Sequence, residues 1–118
     1  MVAYANRRQV QRIQPFVAPC RYVVGDERVA AFLTDISRGG GRVNAEPAPP
    51  VVGTTVTIEL RVARQPLALR LPGVVRWTRE ADRGGFVFGV SFDGVGRDEQ
   101  QALDLLVDGF LRRAASII

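Results

Sequence analysis

At 118 residues the chain supports one domain around one hydrophobic core, and its 47% hydrophobic content argues against wholesale disorder. The net charge is +4, with sixteen arginines and no lysine set against twelve acids, and there is no histidine and one cysteine. Those counts remove the commonest general base, the commonest metal ligand, a structural zinc site and an intrachain disulfide.

Residues 1–12 have no strong periodicity and read as a mobile arm. They also lack the apolar segment of a secretory signal peptide, and no apolar run approaches the ~20 residues that span a bilayer, so a cytoplasmic protein without membrane insertion is expected. Residues 17–24 are mostly apolar and β-branched and end at the turn Gly25-Asp26-Glu27. Cys20, inside that run, reads as a core residue. Residues 28–36 resume the apolar run and stop at Ser37-Arg38-Gly39-Gly40-Gly41, so the two runs form a hairpin. A short strand over 42–44 follows, then a loop through the prolines of 46–50, which cannot join a sheet interior.

Residues 54–62 alternate cleanly. Val56, Ile58, Leu60 and Val62 face one side, and Thr55, Thr57, Glu59 and Arg61 the other. The next strand covers 67–77, with Leu67, Leu69 and Leu71 in phase and Pro72-Gly73 marking a bulge or an edge. Residues 79–85 form a polar hairpin loop, and 86–92 (FVFGVSF) the sixth strand. From Arg97 the period becomes helical: Leu103, Leu106, Val107 and Phe110 recur on one face, which Leu105 and Leu111 widen. Asp98 and Glu99 near the start and Arg112 and Arg113 at the end suit the helix dipole, whereas Gly109 costs about 1 kcal/mol relative to alanine. Six short strands and one amphipathic helix describe a mainly β protein, a small barrel with a C-terminal helix packed on it. The expected division is an arm over 1–12, a barrel over 13–95, and the helix and tail over 96–118.

Two motifs stand out. Arg7, Arg8 and Arg12 form R-R-x-x-x-R, and Asp35, Ser37 and Gly40 form D-x-S-x-x-G. Guanidinium groups hold phosphates by paired hydrogen bonds and read the O6 and N7 of guanine. Asp35 can accept from the N1 and N2 donors of guanine. Ser37 can donate to a phosphate or orient its turn, and Gly40 allows close backbone approach or a positive φ. Trp77, flanked by Arg76 and Arg79, suits core or rim packing better than base stacking. Glu59, Arg61, Arg64 and Arg70 read as solvated strand faces.

On these motifs, together with Val51-Val52-Gly53, Val74-Val75-Arg76-Trp77 and Gly89-Val90-Ser91-Phe92, the chain resembles the PilZ domain, the bacterial receptor module for cyclic di-GMP. The resemblance implies a six-stranded antiparallel barrel over which a flexible N-terminal arginine arm folds onto ligand. It implies that Arg8 and Arg12 grip phosphates and guanines, that Asp35 and Ser37 contact a guanine, and that Gly40 keeps the strand surface open. Arg7 resembles the members that take an intercalated ligand dimer. The expected function is a non-enzymatic cyclic di-GMP receptor that signals to an unidentified protein partner, with no cofactor and no metal. The alternatives are a ligand-independent interaction adaptor and a basic nucleic-acid binder, the latter disfavoured by acids interspersed among the arginines.

Overall fold

The period-two segments resolve into six strands that close on one another. The computed structural model describes residues 18–61 and 66–117. The strands are β1 (Ala18–Val24), β2 (Glu27–Ser37), β3 (Gly40–Ala45), β4 (Thr55–Leu60), β5 (Leu69–Glu80) and β6 (Phe86–Phe92), and helix α1 (Arg97–Ile117) follows them. The closed ring runs β1-β2-β3-β6-β5-β4, with every neighbouring pair antiparallel. Closure gives each strand two partners, so no hydrogen-bonding edge is left for stray pairing.

The barrel interior is filled from every strand. Leu33, Ile36, Val43, Val56, Ile58, Leu71, Val75 and Phe88 are sealed from solvent, and Tyr22 meets Phe88 edge-on at 5.1 Å between ring centroids. Each such side chain contributes about 1.5–3 kcal/mol by leaving water. Helix α1 lies against β5 and adds Leu103 and Val107 to the same core. Its first turn carries Asp98 and Glu99, and the Gln100 N–H donates to the Gly96 carbonyl at 2.8 Å. Cys20 is buried as expected, and desolvation pushes its thiol up to about 12.

Several expectations are corrected. Strand β5 passes straight through Pro72-Gly73, with Thr57 opposite Pro72 and Val56 opposite Gly73. The Pro72 carbonyl accepts from the Asp93 N–H at 2.9 Å, and a Cβ on Gly73 would overlap Ser91 and Val90 of β6. This glycine therefore serves close strand approach. Gly40 and Gly41 belong to β3, where the sequence suggested a turn, and β5 continues to Glu80 so that the following loop is shorter than 79–85. Strand β5 begins at Leu69, not at 67, so Leu67 lies ahead of it and is exposed although it shares the phase of the buried Leu69 and Leu71. On α1, Leu105 is 69% exposed. It lies two residues from both Leu103 and Val107, about 200° around the helix, so it faces away from the barrel. The helix runs on to Ile117, which leaves no basic residue in its last turn and puts Arg112 and Arg113 inside it. Val17, Val62 and Arg64 lie outside the described residues, as do the side chains of Phe110 and Leu111.

Candidate functional site

Two β-bulges build the site. In an unbroken strand Asp35 and Ser37 would share the inward phase of Leu33. The β2–β3 register instead goes from Leu33↔Val43 to Asp35↔Arg42, leaving Thr34 as the extra residue. The phase inverts: Ile36 is fully buried in the core, and Asp35 and Ser37 turn to the outer side of the barrel. The same device recurs on β5. Its register with β6 goes from Val75↔Val90 to Trp77↔Gly89, skipping Arg76. Val75 stays in the core, and Trp77, which simple alternation would send inward, emerges on the outside at 41% exposure. Bulges commonly re-aim side chains at binding sites in this way.

Both inversions serve one surface cavity of about 580 Å³ centred on β3 and β6. That volume lies in the range of small-molecule sites. Asp35, Ser37 and Gly40 line it together, so the D-x-S-x-x-G motif is gathered at one place. Asp35 and Ser37 are each only 3% exposed, buried at its floor. The Ser37 hydroxyl donates to the Gly40 carbonyl and accepts from the Gly39 N–H, both at 3.3 Å, so this serine orients the turn. Gly40 pairs with Ser91, and an added Cβ would overlap the Val90 carbonyl. Of the two roles the sequence left open for Gly40, the structure selects close approach. The positive-φ glycines lie elsewhere, at Gly25, Gly53, Gly84, Gly85 and Gly94.

The cavity also holds residues that sequence reasoning missed or undervalued. Arg42, Arg76, Trp77 and Arg79 line it. Trp77 rests its indole directly on Gly89, where any side chain would collide with the ring. The Arg79 guanidinium lies 5.5 Å from the Trp77 ring centre, a cation–π arrangement. Arg42 Nε donates to Thr34 Oγ1 at 3.2 Å, and Arg76 Nε donates to Ser91 Oγ at 2.7 Å. Each tether fixes the guanidinium by its inner nitrogen. Among the described residues, the outer nitrogens of Arg42 and Arg76 make no hydrogen bond, and they present preset forks to the cavity. Three guanidiniums against one carboxylate, Asp35, leave the lining with an excess of two positive charges. Such a surface favours an anion carrying flat rings: forks for oxyanions, an indole for stacking, and a buried carboxylate for N–H donors.

Arg7, Arg8 and Arg12 lie outside the described residues. Among the described residues no three His, Cys, Asp or Glu side chains converge as metal ligands, and no helix is long and apolar enough to cross a membrane. Cys20, whose thiol burial holds protonated, belongs to the hydrophobic core cluster and does not line this cavity.

No curated protein sequence matches the chain. Solved structures share its fold. The PilZ domain of Escherichia coli YcgR, solved with c-di-GMP, has a TM-score of 0.73 at 17% identity, covering 93% of this chain and 95% of that one. MotI (DgrA), an inhibitor of motility from Bacillus subtilis, has a TM-score of 0.71 at 20% identity over 93% of this chain, which spans 52% of MotI's length. The PilZ domain of CeSA from a cellulose-synthesising bacterium has a TM-score of 0.65 at 22% identity, covering 84% of this chain and 96% of that one. The family model of the PilZ domain matches residues 6–109, and the chain belongs to that family.

Proposed function

We propose that this protein is a receptor for cyclic di-GMP that works by binding and performs no catalysis. The observation that carries the reading is the convergence of Asp35, Ser37 and Gly40 with Arg42, Arg76 and Trp77 on one cavity with an excess of two positive charges. Cyclic di-GMP offers the complement: two phosphodiester charges, two flat purines, and guanine N–H donors for a carboxylate. The YcgR domain that shares this fold was solved with that ligand. Arg8 and Arg12, with Arg7 before them, supply the phosphate grip from the arm over residues 1–12. Ligand orders the arm against the barrel of residues 13–95, and the new surface is presented to a protein partner in the cytoplasm. The C-terminal unit is the helix and tail over 96–118.

Titration calorimetry with cyclic di-GMP, GTP and cyclic di-AMP tests this reading. Saturable heat is expected for cyclic di-GMP alone. Arg8→Ala or Arg12→Ala removes a charge-assisted contact worth about 1.5–3 kcal/mol, or roughly 10- to 150-fold in affinity. Two ligands bound per chain support the role given to Arg7. Unchanged affinity in both variants overturns the arm's part in binding, and absence of heat with the wild-type chain overturns the receptor reading.

A further inference from the structure

The ring order carries a second surface. The junction of β1 with β4 lies diametrically across the barrel from the β3–β6 junction that bears the cavity. On that far side Arg21 of β1 stands opposite Glu59 of β4, and Glu59 stands opposite Arg70 of β5. Arg28 Nε donates to Glu59 Oε1 at 3.1 Å, and Arg70 takes the other carboxylate oxygen. The Arg28 hydrogen bond, with the charges of Arg28, Arg70 and Arg21, holds the Glu59 carboxyl below the usual carboxylate range. Arg21 and Arg61 line the same depression of about 380 Å³, and among the described residues neither has an ion-pair partner. Four arginines around one carboxylate leave three positive charges in excess on this face. Glu27, close by in sequence, has the inward phase of Ala31 and Leu33 and acts on Tyr22 instead. The rim is apolar: Phe32, 51% exposed, pairs in register with the exposed Pro19, and Ala68 lines the depression.

We infer that this face docks an acidic segment of a protein partner, aspartate- or glutamate-rich with at least one aromatic or aliphatic anchor. Excess guanidinium charge complements carboxylates, and arginine beside an exposed aromatic is the composition of interface hot spots. A nucleic acid would demand a longer basic stripe, and Phe32 and Pro19 interrupt this one. The two sites lie on opposite sides of the ring, so ligand and partner bind at once without competing.

The probe is a fluorescent twelve-residue peptide of glutamate and aspartate with one central leucine and one tryptophan, at 150 mM salt. Controls are a lysine peptide of the same design and a twelve-nucleotide single-stranded DNA. The expected result is saturable binding of the acidic peptide, with amide shifts in β1, the start of β2 and β4. The double variant Arg21→Glu/Arg61→Glu alters two side chains that make no ion pair among the described residues. It should weaken the peptide at least about tenfold while cyclic di-GMP binds as before. No acidic-peptide binding, equal binding by the double variant, shifts confined to the cavity, or tighter binding of the oligonucleotide overturns the inference. Cyclic di-GMP titration is read separately, so a lost ligand response cannot be mistaken for a lost docking face.

Discussion

Gly89 sets the working position of Trp77, because the indole occupies the space a side chain would need. A Gly89→Val substitution must push the ring off the β6 surface and shift it within the cavity. Stacking of a base on an aromatic side chain is worth about 1–3 kcal/mol, so displacement should weaken cyclic di-GMP by roughly 5- to 150-fold. The same change overpacks the strand surface and should lower stability by about 1–3 kcal/mol in a urea melt. Trp77→Ala separates the two effects, since it removes the platform without crowding the strand. If calorimetry finds both variants binding like wild type, Trp77 does not stack the ligand. Asp35, Ser37 and Gly40 were legible in the sequence because their side-chain chemistry and spacing do not depend on strand phase. Trp77 was not, because period-two alternation continued from Leu69 and Leu71 sends it inward, and only the irregularity at Arg76 sends it out.

At the scale of elements, the bulges and the helix dock decide what the site can do. Arg38 sits inside the motif turn between Ser37 and Gly40, and it reaches across to α1. Its Nε lies 3.3 Å from Asp104 Oδ1, and its terminal nitrogen pairs with Asp108 one turn further on. The motif turn that lines the cavity is therefore tied to the helix that completes the core. Arg38 is about half exposed, so the tie contributes roughly 1 kcal/mol or less. Arg38→Glu would place three carboxylates together and loosen helix docking. Amide hydrogen exchange over residues 97–109 should quicken several-fold while β1 and β4 keep their protection. The charge swap Arg38→Glu with Asp104→Arg and Asp108→Arg should restore it. Uniform acceleration across the barrel, or no rescue, would sink the idea of a local tie. The helix start was readable from Asp98 and Glu99, but its end was not. Ala114 and Ala115 are strong helix formers and carry the turn pattern past the arginines that looked like a stop.

For the molecule as a whole, the ring brings together parts of the chain far apart in sequence. The cavity takes residues 35–42 from one half and 76–91 from the other, joined through the β3–β6 ladder. A ligand seated there contacts both halves only when the barrel is closed, so it should bind the folded state and not the unfolded chain. Linkage then sets the size of the effect: at a ligand concentration of 100 times Kd the folded state gains about 2.7 kcal/mol. For a domain of this length that corresponds to a rise in Tm of roughly 10 °C. Asp35→Ala should shrink the shift at the same ligand concentration, and GTP should leave Tm in place. A thermal melt followed by tryptophan fluorescence reads this directly, since Trp77 is the only tryptophan. Suppose instead that calorimetry reports binding while Tm stays fixed at saturating cyclic di-GMP. The ligand would then be held by residues that bind equally well in the unfolded chain, as an arginine arm alone could. The cavity that the two bulges build would have no part in recognition.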